Sequence, residues 1–431
     1  MKNNFENLNS KKSDQDDLSL SSSNESGREI AGLDPKFERF TLLEENKDYK
    51  IRELNKNLVV DSLPQEHFVF INPKKGDQGY LVEAPHWRTV TRDGINAHLE
   101  TEKVKDFFYT LNIKGVGYLK PTLQREYTLD DYDDWNRIDE YELEGAFGLA
   151  DKGDFMNSDG SVMIKSNYFI ENGLRTEAYW AISELKNVIY KGRRKSISDM
   201  QALGKIPSRQ KVKPEMALRL LKTNTRIAEL RDADPGRQKV LLREAFEVFN
   251  KETKDKKLPF PELKVDDIES EEIFIEEFTK RIGENLAVLQ NLGYIAWHLH
   301  SANITLAAEI VDIGPYLPGE DYKDDPEFVK KYHGVWRGTL KDMRDISYDL
   351  RYIYKAFKQI TGNSIDRVGV FRKLIDSFEK KLDDNLLKKN SSMNKQDLVQ
   401  MFSKIAEAVL VERRNLTSIK SGADIEDWGI L

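Results

Sequence analysis

Three observations predict an α+β fold in two lobes. Between residues 60 and 125, short apolar runs rich in aromatic and β-branched residues are separated by clusters of Pro, Gly, Asp and Lys, the signature of strands and turns. From residue 268 onward, apolar residues recur at helical spacing through 268–298 and again through 335–415. A β-rich half is thus followed by an α-rich half, which defines an α+β arrangement, and the cleft between two such lobes is the default ligand site.

Taken in order, residues 1–35 are rich in Ser, Asn, Asp and Lys and poor in aromatics. Such a stretch buries too little apolar surface to offset chain entropy and is expected to be disordered. A β-rich lobe is expected over 36–230, with strands at HFVFI (67–71), GYLVEA (79–84) and FFYTLNIK (107–114). Residues 125–160 are acidic and contain glycines, as a loop-like insertion does. From Gly173 the spacing in TEAYWAISEL predicts a helix, and the basic stretch 192–214 with its two prolines predicts a mobile surface loop. A helical lobe is expected over 231–431, with a polar break at KKNSSMNKQD (388–397).

Composition narrows the chemistry. The 431 residues carry 67 Lys plus Arg against 74 Asp plus Glu, a formal net charge of -7. That balance disfavours a dedicated nucleic-acid binder, because phosphate neutralisation needs excess cations. With no cysteine, disulfides, Cys-ligated zinc, iron–sulfur clusters and thiol nucleophiles are excluded. No signal-type leader opens the sequence and no apolar run reaches the ~18 residues a span requires, so a cytoplasmic protein without membrane contact is expected. A P-loop, a His-Glu-x-x-His helix and a Gly-x-Ser-x-Gly elbow are all missing. His298 and His300 alternate as strand ligands would, but no further ligands accompany them.

The segment AWHLHSANITLAAEIVDIGPY (296–316) is the informative one. Its apolar stretches ITLAA and IV predict two strands pairing across a turn near Ala308-Glu309, which brings Asn303 and Asp312 to one end. A carboxamide and a carboxylate are oxygen ligands for a hard cation such as Mg²⁺, the role of the catalytic-loop Asn and the DFG Asp in kinases. An ordinary hairpin with a polar cap accounts for the same spacing. Kinase-like chemistry also needs a strand lysine paired with a glutamate. Lys114 ends a strand-like run before Gly115 and Gly117, and Glu177, with Glu171 as a rival, lies in the helix expected near Leu174. Each could equally be an exposed charge. Arg219 and Arg226, seven residues apart, would share a helix face and would also both be available to a polyphosphate from an extended segment. A solvated helix face is the alternative.

This order of residues resembles the selenoprotein O family over roughly residues 90–320. Leu111-Asn112-Ile113-Lys114-Gly115-Val116-Gly117 looks like the family's ATP-lysine strand. The stretch Arg219-Leu220-Leu221-Lys222-Thr223-Asn224-Thr225-Arg226 keeps the spacing of its two phosphate arginines. Ser301-Ala302-Asn303 and Val311-Asp312-Ile313-Gly314-Pro315-Tyr316 look like its metal-binding segments, and Asp159-Gly160 stands for its nucleotide-contacting Asp-Gly. The resemblance implies a two-lobed protein-kinase-like fold and transfer of AMP from ATP to Ser, Thr or Tyr hydroxyls of a protein. It implies ATP and Mg²⁺ (or Mn²⁺) as cofactors. ATP would be held by Lys114, Glu177, Arg219, Arg226, Asp159, Gly160 and Asp312, and the metal by Asn303 and Asp312. One position departs: the family's presumed catalytic aspartate is Ala302 here. That substitution leaves a nucleotide-binding pseudokinase sensor as the alternative, with a conventional phosphotransferase as a third reading.

Overall fold

The computed structural model describes residues 43–61, 70–71, 89–115, 150–151, 156–157, 160–190, 193–203, 214–296, 299–314, 316–318, 335–390 and 394–411. Across these residues the chain is mixed α+β. The strands run β1 (Tyr49–Leu54), β2 (Leu58–Val60), β3 (Phe70–Ile71), β4 (Thr89–Glu100), β5 (Lys105–Lys114), β6 (Ala150–Asp151), β7 (Met156–Asn157) and β8 (Gly160–Ser161). After helix α1 (Val162–Glu171) come β9 (Ala178–Leu185), β10 (Asn187–Tyr190), β11 (Arg193–Ser196), helix α2 (Ile197–Ala202) and β12 (Pro214–Leu221). The rest is mainly helical: α3 (Ile227–Asp232), α4 (Pro235–Lys256), α5 (Ile268–Leu292), α6 (Val335–Ile360), α7 (Arg367–Lys381), α8 (Asp384–Asn390) and α9 (Lys395–Val411). The short strands β13 (Tyr294–Ile295) and β14 (Leu317–Pro318) pair between α5 and α6.

The main sheet is antiparallel, in the order β1-β9-β12-β5-β4-β2, with β6 joined to β12. Its central strands β9 and β12 are buried along nearly their whole length and are mainly apolar on both faces, with the polar side chains of Ser183, Glu215 and Arg219 buried among them. Two apolar cores lie on its faces. Leu111, Ile113, Met216, Leu218 and Leu220 point into one of them with Trp180 and Leu185. Tyr179, Ile182 and Ala217 point into the other, which continues through α3, α4, α5, α6 and α7.

TEAYWAISEL is not a helix. It is the approach to β9 and β9 itself, and the helix lies earlier, at α1, capped by Ser161, whose hydroxyl accepts from the Met163 N–H. A short apolar run rich in Tyr, Trp and Ile has no period long enough to separate strand from buried helix, and sheet neighbours on both sides decide it. The basic stretch 192–214 is likewise not simply a loop. It holds β11, paired with β10, and α2, which a Ser196–Asp199 capping box starts. Of the other expected strands, β5 contains FFYTLNIK, only the last two residues of HFVFI are described, and GYLVEA lies outside the described residues.

In this helical half, α5 has defined ends. Asp267 caps the start of α5 through the Ser270 N–H, and Gly293, in the left-handed region at φ 71, ends it. A Cβ at Gly293 would sit 2.5 Å from the Asn390 carbonyl oxygen, so close helix approach as well as φ requires glycine there. No described helix is long and apolar enough to cross a membrane.

Candidate functional site

Strand alternation builds one wall of the site. Leu111 and Ile113 face one core, so Asn112 and Lys114 take the opposite face of β5. Leu218 and Leu220 do the same on β12 and leave Arg219 on that opposite face. Register then sets Arg219 across from Asn112, and Ala217 across from Lys114. On its other side Arg219 is opposite Tyr179, beside a register shift at Leu218/Arg219. A shift of this kind bends a strand and re-aims its side chains.

A connected buried network follows. Arg219 Nε donates to Asn112 Oδ1 at 2.6 Å, and Arg219 Nη1 donates to Glu177 Oε2 at 2.7 Å and to Asp312 Oδ1 at 2.9 Å. Lys114 Nζ lies 3.2 Å from the same Asp312 oxygen. Glu177 Oε1 accepts from the Tyr179 hydroxyl at 2.9 Å and from the Asp312 N–H at 2.9 Å. The expected Lys114 and Glu177 are therefore joined through Asp312 and Arg219. Glu177 stands in the extended link between α1 and β9, not on a helix, and Glu171 pairs with Lys103 at the end of α1. Burial disfavours the charge on Arg219, but the carboxylates of Glu177 and Asp312 outweigh it and raise its pKa. Burial, with the Glu177 charge behind it, holds the Tyr179 hydroxyl well above its ordinary value.

Asn303 and Asp312 do sit at one end of a hairpin-like turn, though it contains isolated bridges rather than two strands. Ile304 bridges Ile310, the Val311 N–H donates to the Asn303 carbonyl at 3.0 Å, and Ala308 turns the chain at φ 60. The segment is too short for a ladder because neighbouring chain takes its remaining backbone groups. Thr176 bridges Ile310 on one side and Arg226 bridges Thr305 on the other. Asn303 closes the 3₁₀ turn Ser301–Asn303, and Asp312 has left-handed backbone at φ 57. That strained conformation is fixed by the Glu177 acceptor. His300 Nδ1 accepts the Ala302 N–H at 3.3 Å. His298 lies outside the described residues, as do Pro315 and Asp159, while Gly160 pairs with Asn157 between β7 and β8.

Arg219 and Arg226 do not share a helix. Arg219 is in β12, and Arg226 precedes α3, where its N–H donates to Glu229 Oε1. Arg226 is completely buried, and its Nε and Nη1 have no hydrogen-bond partner among the described residues. Its Nη2 reaches Asn224 Oδ1 at 3.5 Å, and Asn224 in turn accepts from Asn112. Burial and the nearby Arg219 charge push the Arg226 pKa down to about 10. A buried guanidinium with unmet donors beside a second cation is the electrostatic setting that an anion relieves. Among the described residues no group of three or more His, Asp or Glu side chains is arranged around a metal. Asn303 and Asp312 each carry an oxygen of the kind Mg²⁺ takes, and Mg²⁺ usually completes its shell with phosphate oxygens and water.

No protein-family model matches the chain, and no curated protein is similar to it. The site thus rests on its own geometry. Three of its members escape the sequence reading: Asn112, Tyr179 and Asn224. Asn112 and Tyr179 each stand two residues from a candidate, Lys114 and Glu177, and so share its strand face once β-structure is assigned. Asn224 carries no comparable signal, since it belongs to an irregular link.

Proposed function

We propose that the chain is an ATP- and Mg²⁺-dependent protein nucleotidyltransferase of the selenoprotein O type, with a two-lobed kinase-like arrangement of its sheet and helical halves. The observation that carries this reading is the convergence of Lys114, Glu177, Arg219 and Asp312 on one ion network, with the unmet donors of Arg226 beside it. Lys114 and Asp312 form its partly exposed edge, at 12% and 19% side-chain exposure, where a triphosphate would arrive. Arg226 is enclosed, so phosphate reaches it only after the covering chain moves. Bound Mg²⁺ would neutralise phosphate charge, held by Asn303 and Asp312.

In this reading an acceptor hydroxyl attacks the α-phosphorus. The bond to the bridging oxygen breaks and pyrophosphate leaves. Lys114 and the arginines hold the leaving phosphates, which supplies positioning and charge stabilisation. No side chain at residue 302 takes the hydroxyl proton, which in this reading passes to a phosphate oxygen of the departing pyrophosphate or to solvent water. His300 does not replace one in this tautomer: with Nδ1 accepting from Ala302, the neutral ring carries its proton on Nε2. Ala302 and this His300 geometry favour a second reading, a nucleotide sensor that binds without turnover.

Incubation with α-labelled and, separately, γ-labelled ATP tests the assignment. Label on protein from the α position alone is the expected result. Label from the γ position alone makes it a phosphotransferase, and binding without transfer makes it the sensor. Asp312→Ala is expected to abolish Mg²⁺-dependent ATP affinity, and unchanged affinity would refute the site.

A further inference from the structure

We infer that Glu309 is a positioning residue that fixes the link between the two arginines to the Asn303/Asp312 hairpin, an inference that rests on the phosphate-binding reading above. The link, residues 222–225, is neither strand nor helix and is buried. Its backbone groups have no ladder to enter, and a buried N–H must find an acceptor elsewhere. Glu309 supplies one. Its Oε1 accepts the Lys222 N–H at 2.8 Å, and its Oε2 accepts the Thr223 N–H at 3.3 Å. Arg219 lies three residues before this anchor point and Arg226 three residues after it.

The same carboxylate is locked to the hairpin. Thr305 Oγ1 donates to Glu309 Oε2 at 3.1 Å, the Glu309 N–H donates back to Thr305 Oγ1 at 3.1 Å, and the Thr305 N–H donates to the Glu309 carbonyl at 3.0 Å. Asp312 follows three residues later. One buried side chain therefore sets the distance between the arginines and the carboxylate that would share a triphosphate. Two main-chain bonds support the same seam, Leu306 N–H to the Thr225 carbonyl at 2.8 Å and Ile227 N–H to the Ile304 carbonyl at 3.0 Å. These hold the Arg226 end. Glu309 holds the end next to β12, from which Arg219 projects. An amide in place of the carboxylate turns one acceptor into a donor facing a backbone N–H, which displaces the link without emptying the space.

Calorimetric titration of the full chain with Mg·ATP and, separately, with adenosine tests this, on wild type, Glu309→Gln and Glu309→Asp. The expected result for Glu309→Gln is Mg·ATP binding weakened about tenfold, equivalent to about 1.4 kcal/mol, with adenosine affinity held within about twofold. Glu309→Asp keeps both oxygens on a shorter arm and gives the same selective loss, and it serves if the Gln variant does not fold. Equal weakening of both ligands, or no weakening of either, overturns the inference while leaving the nucleotide site standing. Wild type that binds neither ligand overturns the inference and the nucleotide reading together.

Discussion

Glu177 shows how much one buried side chain can hold together. Its two oxygens receive the Tyr179 hydroxyl, the Asp312 N–H and Arg219, so it orients a strand residue, a left-handed turn and a guanidinium at once. Removing one partner of a buried ion pair leaves the other charge uncompensated, a loss of roughly 3–5 kcal/mol. Glu177→Gln fills the same space without the charge. It is expected to lower the free energy of unfolding by about that amount in urea titrations, with Asp312 alone left against Arg219. Asp312→Ala removes a carboxylate at the partly exposed edge and is expected to cost less stability than Glu177→Gln, even though under the proposed function it is the variant expected to lose metal-dependent nucleotide affinity. A loss below about 1 kcal/mol for Glu177→Gln would show that Asn112 and Asp312 suffice to hold Arg219.

At the scale of elements, the sequence was legible where one period ran long enough. The 3.6-residue recurrence expected over 268–298 marks α5 as far as Leu292; Gly293 then ends the helix and Tyr294–Ile295 pair as β13, so the expected stretch overruns the helix. It failed where tertiary neighbours decide. Five consecutive apolar residues, Ala178–Ile182, suit a helix or a fully buried strand, and β1 and β12 on either side make them a strand. The same ambiguity explains the site. Lys114, Arg219 and Asp312 are readable by type and spacing, whereas the strand face that adds Asn112 and Tyr179 appears only once register is known. Asn224 and Glu309 act from irregular chain, where periodicity carries no information. Helix packing leaves a sharper mark at Gly283 on α5. A Cβ there would come within 2.4 Å of the Leu374 carbonyl oxygen and 3.1 Å of the Phe378 nitrogen, both on α7. Alanine is the better helix former by about 1 kcal/mol, but overpacking against a fixed backbone costs about 1–3 kcal/mol. Gly283→Ala is therefore expected to be net destabilising in urea unfolding. A stabilised variant would mean that α5 and α7 separate without cost.

For the whole molecule, stability against pH combines buried carboxylates of opposite tendency. Asp106 is buried, which alone would raise its pKa, but Lys222, Lys256 and Arg175 hold it down to about 2. Its contribution is complete above the ordinary carboxylate value and is lost as pH falls toward about 2. Asp349 on α6 behaves in the other sense. Burial pushes it up to about 7, and repulsion from Asp345 adds to this, while the Ser301 N–H it accepts at 2.5 Å and Arg231 oppose the shift. The folded chain therefore keeps a proton on Asp349 that the unfolded chain has already released. Between about pH 4 and about 7 the unfolded state binds fewer protons at this group, so its contribution to stability falls as pH rises. Asparagine keeps an oxygen for the Ser301 N–H and cannot ionise. The difference in unfolding free energy between Asp349→Asn and wild type is expected to shift by a few kcal/mol in favour of the variant from pH 5 to pH 8, at about 1.4 kcal/mol per unit. Urea titrations at the two pH values read it directly. An unchanged difference would place an ionised Asp349 in the fold already at pH 5. The 3₁₀ turn that presents Asn303 would then be anchored by a buried charge rather than by a protonated acid.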